Sequence, residues 1–414
     1  MLTVGVDFGT SNTACVVRLP SGEVHPVVLE RSSGNGLLMP SWWYYGDDVN
    51  KPLVGSTAKQ TFIENGYTGR FMTSVKSHMR DLNLRSTMIN GRTVSLEDIV
   101  AALLTKVKEK VESQYGSIHK LYAGRPVNLG VNTDQDNQVE QRIRTAYLRA
   151  GFPEPKFVFE PIAAAADYKQ QLKRPELVLV ADFGGGTLDY SLMLLEPPNS
   201  SKQDVVVGVG GEKIGGDDMT AAAFRLFWSD FGYGSEVLDF TRTKQTRIPT
   251  DIYHKLSRWT NLVRLEQYRE KIRKDIAWGS TDPQGLKRLL ALMSDDYYFD
   301  FLAEVEQLKV SLSKSTEAEF AYEHSPIAIR RRIERITYEV EARKHIDRAR
   351  GVLEDVFEKA GVVKSEVDSV FMTGGSSQIP SFRTMIADAF GSRKIRDGDA
   401  FASVATGLAM TEEG

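Results

Sequence analysis

The sequence predicts an α/β protein in which one plan of strands, glycine turn and helices is written twice. Three observations predict it. The opening "VDFGTSNTA" (Val6 to Ala14) has a near copy in "ADFGGGTLDYS" (Ala181 to Ser191), each with an aspartate just before the glycines. Each copy is followed by two further β-type runs. Helix-period stripes separate these groups, which argues against an all-β or all-α chain.

The elements follow in order. "LTVGVDFGT" reads as a buried strand ending in a glycine turn, "TACVVRL" as a second strand, and "VHPVVLE" as a third after the turn "PSGE". Ile99, Val100, Leu103, Leu104, Val107 and Val111 mark a helix over 96–113. "PVNLGV" reads as a strand. Val139, Ile143, Ala146, Tyr147 and Ala150 mark a helix closed by Gly151. "KFVFEP" is a strand, and Pro161 suits the first turn of the alanine-rich helix after it. The scheme then restarts with "ELVLVADFGGGT", "LDYSLMLL" and "DVVVGVGG" as strands. A helix-rich stretch runs from Thr220 to about Thr316. The basic run "IRRRIER" (Ile329 to Arg335) reads as a solvated helix face. A long helix from about Ile333 to Ala360 has Ile336, Val340, Ile346, Ala349, Leu353, Val356, Phe357 and Ala360 on its apolar side. "SVFMTGGSS" enters one more glycine turn.

Bulk properties narrow the function. The chain has 414 residues, too many for one ordinary core. A net charge of −3 gives no general attraction to nucleic acid or anionic membrane. No apolar run approaches the roughly 18 residues that a membrane helix needs, and the N-terminus lacks the pattern of a secretory signal. The single cysteine, Cys15, excludes an internal disulfide framework and fits a reducing, cytoplasmic setting. It sits in "ACVV" and reads as a small packed side chain. The six histidines lack the spacing of a transition-metal site.

The glycine loops carry the chemistry. Backbone N–H groups converging on one point bind phosphate well, and glycine permits the turn and the close approach. "FGTS" (Phe8 to Ser11) and "FGGGT" (Phe183 to Thr187) would grip a polyphosphate from opposite halves. Asp7 and Asp182 precede them, where a carboxylate can hold Mg²⁺ directly or through its waters. No glycine loop is followed by Lys-Ser/Thr, and "FGGGT" feeds a strand, so neither the Walker nor the dinucleotide pattern applies. "GEKIGGDD" offers Gly215 and Gly216, with Asp217 as a plausible helix cap. "FMTGGSSQIP" offers Gly374, Gly375 and Ser376.

Together "VDFGTSNT", "FEPIAAA", "ADFGGGTLDYS", "KIGGDDM" and "TGGSSQIPSF" resemble, in order and spacing, the actin-like ATPase superfamily. They look most like the nucleotide-binding domain of DnaK-type heat-shock-70 chaperones, closest to the short YegD-like branch. The resemblance implies an actin-like ATPase fold of two duplicated ribonuclease-H-like lobes around a nucleotide cleft. Lobe one would be 1–172 plus 395–414, with an outer subdomain at about 39–98. Lobe two would be 173–394, with an outer subdomain at about 220–332. No separate peptide-binding domain is expected. Aromatics such as Trp228, Trp259 and Trp278 would fill the outer part of lobe two.

The resemblance also implies roles. Asp7 and Asp182 would organise the Mg²⁺ waters. Gly9, Thr10, Ser11, Gly184, Gly185, Gly186 and Thr187 would contact phosphates. Lys76, in "TSVKSHMRD", would orient the attacking water, and Glu160 would sit near the metal waters. Pro126 would relay nucleotide state. Glu306, Lys309 and Ser313 lie at i, i+3 and i+7 of one helix face and match ribose and adenine contacts. Gly215, Gly216, Gly374, Gly375 and Ser376 would complete the nucleotide-binding set. Two departures stand out: Val310 and Gln378 occupy positions where the family brackets adenine with arginines. A third is Phe401, where the family often has an aspartate.

The expected function is therefore a slowly hydrolysing, Mg²⁺-dependent ATP/ADP switch of chaperone type. It would be a cytoplasmic monomer, coupled to a client protein or co-chaperone. The alternatives are an actin-like filament former, a small-molecule kinase on the same fold, and a non-hydrolysing nucleotide sensor.

Overall fold

A computed structural model describes residues 1–30, 36–66, 68–127, 132–238, 241, 245–258, 266–293, 295–397 and 403–411. The chain divides into two compact units: Met1–Lys213, Arg350–Ser377 and Phe382–Gly414 in the first, Ile214–Ala349 and Gln378–Ser381 in the second.

The first unit holds both large sheets, and they share one plan. Strand Thr3–Phe8 has Asn12–Arg18 and then Val24–Pro26 antiparallel on one side, with Lys120–Arg125 and then Pro155–Phe159 parallel on the other. Strand Glu176–Phe183 repeats this, with Leu188–Leu195 and Val205–Glu212 antiparallel and Ser369–Thr373 and Ile395–Asp397 parallel. The duplication read from the two glycine hairpins is thus a duplication of strand order and sense. Both central strands are apolar almost throughout because both faces are covered.

Helix Leu96–Tyr115 starts at Ser95, whose side chain accepts from the Asp98 N–H, and its six-residue apolar stripe is fully buried. Helix Thr133–Arg149 is capped by Asn132 and ends at Gly151 with φ +79°. These two helices pack on each other and join the first sheet in one core. The third strand of the first sheet is shorter than the run "VHPVVLE" suggests. The regular strand covers Val24–Pro26, and one further bond, from the Val27 N–H to the Cys15 carbonyl at 2.9 Å, continues the pairing. Helix Ser403–Met410 packs on Thr3–Phe8, Asn12–Arg18 and the short helix Glu160–Ala164. Cys15 is buried in this unit, and burial pushes its thiol up, as a packed side chain requires.

In the second unit, helices Gly216–Arg225 and Asp295–Lys314 pack on each other, and the hairpin Glu317–His324 with Ile327–Glu334 packs on the latter helix. Phe224, Phe227, Phe231, Phe301 and Phe320 form its aromatic centre, joined by Trp228 through Tyr253. Trp259 lies outside the described residues.

Two expectations are corrected here. The run "IRRRIER" is mostly strand, because Ile327, Ile329 and Ile333 alternate into the core while Arg330 and Arg332 point out to Glu319, Glu323 and Glu317 across the hairpin. Within helix Arg335–Ala360, Ile336 and Val340 are exposed, and Tyr338 and Ala342 are buried in their place. Two positions along a helix is about 200° of rotation, so one stripe cannot hold both pairs.

Among the described residues no helix is long and apolar enough to cross a membrane.

Candidate active site

In the first unit, three glycine turns meet. The first follows Asp7. The Gly9 N–H donates to the Asn12 carbonyl at 3.0 Å, and a Cβ on Gly9 would fall 2.3 Å from that oxygen. Ser41 braces the turn from below: its Oγ donates to the Gly9 carbonyl at 2.8 Å and its N–H to the Ser11 carbonyl at 2.8 Å. Thr13 Oγ1 lies 3.0 Å from the same hydroxyl. The second turn follows Asp182, with the Gly184 N–H on the Thr187 carbonyl at 2.9 Å. The two turns touch: a Cβ on Gly185 would lie 2.6 Å from Ser11 Oγ. The third turn brings Gly374 against the Phe183 carbonyl and the Asp182 carboxylate, and Ser376 Oγ donates to the Gly184 carbonyl at 3.0 Å. Gly375 opens the short turn Gly375–Gln378. The N–H groups of Thr10, Ser11, Gly185 and Gly186 find no protein acceptor among the described residues. Buried or half-buried donors of that kind call for an anion.

Carboxylates gather beside these turns. Burial raises Asp7 to about 7, helped by Glu160 and opposed by Lys76. Burial raises Asp182 well above the usual range, with Asp189, Glu160 and Asp7 adding to it. Asp189 is raised by burial and Glu160, and lowered by Arg80, the Thr187 hydroxyl and Lys76. It stands directly opposite Asp182 in the hairpin, a like-charge placement that costs stability unless a cation is near. A Cβ on Gly211 would fall 2.5 Å from Asp189 Oδ1, so the neighbouring strand is kept bare there.

Lys76 Nζ pairs with Glu160 Oε1 in this cluster, at 2.8 Å. Ser74, at φ +55°, turns the chain into the short helix Val75–His78 and delivers Lys76 to a buried position. Phe159 caps the helix on which Glu160 begins and Pro161 follows. Pro126 follows strand Lys120–Arg125, and its carbonyl accepts from Arg125 Nε at 3.2 Å.

The donor chemistry fits a divalent cation. Three aspartates with raised pKa values and a glutamate meet one lysine, and a cation bound among them would favour their charged forms. Among the described residues no three acidic, histidine or cysteine side chains close into a cage. Asp7 and Asp182, each at the end of a strand just before a glycine turn, could hold Mg²⁺ through its waters.

A pH dependence follows. The folded state holds Asp7 near 7 against 3.8 for a free carboxylate. Its contribution is fully present below pH about 4 and lost as pH rises toward 7. Metal-free protein should thus lose stability across that window. Asp7→Asn should flatten the loss, and added Mg²⁺ with nucleotide should reverse it. Urea titrations at pH 5 and 7.5 would show equal losses in both proteins if the reading is wrong.

The second unit gathers the other set. Helix Gly216–Arg225 meets the face of Asp295–Lys314 that carries Glu306, Lys309 and Ser313. Lys309 Nζ lies 2.8 Å from Glu306, 3.1 Å from Thr220 Oγ1 and 3.4 Å from the Gly216 carbonyl. Thr220 Oγ1 also bonds Glu306. Ser313 Oγ donates to the Lys309 carbonyl at 2.9 Å. Asp217 was expected to cap the helix and does not. Asp218 does so instead, accepting from the Gly215 N–H at 3.0 Å and pairing with Arg258. Asp217, one residue earlier, is solvent-exposed, and desolvation by its surroundings raises it to about 6; Lys309 and Arg258 lower it, and Glu306 and Asp218 raise it. Val310 is half-buried and Gln378 exposed. Phe401 lies outside the described residues.

Sequence reasoning missed three contributors. Ser41 carries no motif, and Thr13 ends the quoted "VDFGTSNT" without a role having been assigned to it. Asp189 stood within the quoted motif, and the hairpin register opposite Asp182 was the signal that could have assigned it.

The family model described as Hsp70 protein matches residues 3–248 and 292–413. The chaperone protein DnaK of Halobacterium salinarum is 26% identical over 414 residues, covering 98% of this chain and 55% of that protein. The chaperone protein DnaK of Mycoplasmopsis pulmonis is 25% identical over 411 residues, covering 99% and 58%. The chain spans about half the length of the curated relatives it matches.

Proposed function

Because the chain belongs to the Hsp70 protein family and so has the actin-like ATPase fold, we propose that it binds ATP and hydrolyses it slowly as a conformational switch. The observation that carries the proposal is the contact of the two glycine turns, Ser11 against Gly185, with Asp7, Asp182, Lys76 and Glu160 beside them. The uncommitted N–H groups of Thr10, Ser11, Gly185 and Gly186 take phosphate oxygens. Gly9, Gly184 and Gly374 give the turns their shape, and Ser376 and Ser41 hold them in place. Mg²⁺, when bound, would draw charge from the phosphates and the aspartates. Lys76 directs its ammonium to the reacting phosphate and the attacking water, and Glu160 keeps that ammonium in place. Thr187 holds Asp189. Catalysis of this kind is positioning and charge stabilisation.

The second unit's Glu306, Lys309 and Ser313, with Gly215 and Gly216, take the nucleoside. Closing of the two lobes on nucleotide changes an outer surface read by a client protein or co-chaperone, with Pro126 in the relay.

Single-turnover hydrolysis tests the proposal. Asp182→Asn should slow it about 100-fold, the scale of losing one preorganised charge at the reacting group. Equal rates in both proteins would remove the catalytic assignment. ATP binding with no turnover in the wild type would make the protein a sensor. Nucleotide-dependent sedimentation would make it a filament former.

A further inference from the structure

The segment 249–291 lies between the two stretches that match the family model. It sends one side chain to the helix at the nucleoside set. Arg258 follows helix Thr250–Leu256 by two residues and bonds the Asp218 carboxylate through one terminal nitrogen. That carboxylate is buried and its other oxygen is taken by the Gly215 N–H. The guanidinium is held at one corner, and its side chain is 49% exposed.

The position has chemical meaning. Arg258 bonds Asp218 in the first turn of helix Gly216–Arg225, and Lys309 and Glu306 bond Gly216 and Thr220 of the same helix, so the arginine shares one helix end with the nucleoside set. Lys309 is consumed by Thr220, Glu306 and the Gly216 carbonyl. Val310 and Gln378 offer no cation. Arg258 is a planar cation, half exposed beyond its bond to Asp218, a group well suited to lie against an aromatic base. An ordinary exposed ion pair would be the plainer account, but here the acid is buried, doubly bonded and placed at the first turn of Gly216–Arg225.

We propose that Arg258 is the base-recognising residue of this chain, a specificity contact supplied by the segment between the matched stretches. The inference rests on the nucleotide reading above. Its ligand class is the purine face of a nucleotide, and Asp218 is the positioning residue that holds the guanidinium plane.

Calorimetry with Mg²⁺ and two probes, ADP and inorganic tripolyphosphate, tests it. Arg258→Ala should weaken ADP about tenfold, within the range of one lost cation–π contact, and leave tripolyphosphate unchanged. Arg258→Lys keeps the charge beside Asp218 but lacks the plane. It should hold the wild-type melting temperature and still lose ADP affinity. Equal loss of both probes in Arg258→Ala would mean a helix-capping role only and overturn the proposal. So would wild-type ADP affinity in Arg258→Lys. A wild type that binds tripolyphosphate as tightly as ADP would overturn the base contact and leave the phosphate site standing. A wild type that binds neither would overturn both.

Discussion

Replacing Lys76 by methionine is expected to slow single-turnover ATP hydrolysis by ~10²–10³-fold, the scale of losing one positioned charge at a reacting oxyanion. The ammonium is buried, 2.8 Å from Glu160, and stands where three aspartates with raised pKa values surround it. That position also creates a confounding effect. Removing the lysine leaves Glu160 charged, desolvated and next to other carboxylates, which costs about 3–5 kcal/mol when a buried pair is broken. A slow Lys76→Met protein could therefore be slow because it is poorly folded. The double variant Lys76→Met with Glu160→Gln separates the two. It deletes both charges, so the melting temperature should recover most of the loss. Hydrolysis should stay slow, since glutamine cannot supply an ammonium. Recovery of both stability and rate would show that Lys76 serves the fold and not the reaction.

What the sequence disclosed depended on how local each signal was. The two sheets were legible because their strands are continuous apolar runs ended by glycine, and because the hairpin is written twice. Asp7 and Asp182 were legible by that repetition. Lys76 and Glu160 were not readable from residues alone: they are 84 positions apart, and only the family resemblance placed them together. Ser41 was hidden more deeply. It is a buried hydroxyl acting on a backbone carbonyl 32 positions away, a partner that no side-chain pattern announces. In "IRRRIER" the charges drew the eye from the isoleucines, whose period of two gives the strand. Ile336 and Val340 misled in the opposite way, since single exposed apolar residues are ordinary on a folded surface.

Gly374→Ala is expected to destabilise the protein by about 3–5 kcal/mol, the range of substitutions that combine backbone strain with a forced collision. Gly374 has φ +79°, where a side chain costs about 1–2 kcal/mol by itself. The new methyl would also fall 2.4 Å from the Phe183 carbonyl and 2.6 Å from Asp182 Oδ1. Phe183 ends a strand that is paired on both sides, so its carbonyl has little room to retreat. Gly116→Ala isolates the strain, because Gly116 has φ +85° with nothing within 4 Å of its added carbon. The excess of Gly374→Ala over Gly116→Ala in urea unfolding is the cost of the collision. Gly185→Ala should behave in the opposite way. Its methyl would lie 2.6 Å from Ser11 Oγ, which can rotate away, and 2.9 Å from Ser11 Cβ, which moves only with its turn, so stability should change by about 1 kcal/mol. The two phosphate turns would nevertheless be pushed apart, and ATP affinity should fall at least about tenfold, one lost contact at the grip. One glycine therefore serves the fold beneath Asp182 and the other serves the ligand. If Gly374→Ala unfolds no earlier than Gly116→Ala, the third turn does not press on Asp182. If Gly185→Ala binds ATP like the wild type, the two turns do not share an anion.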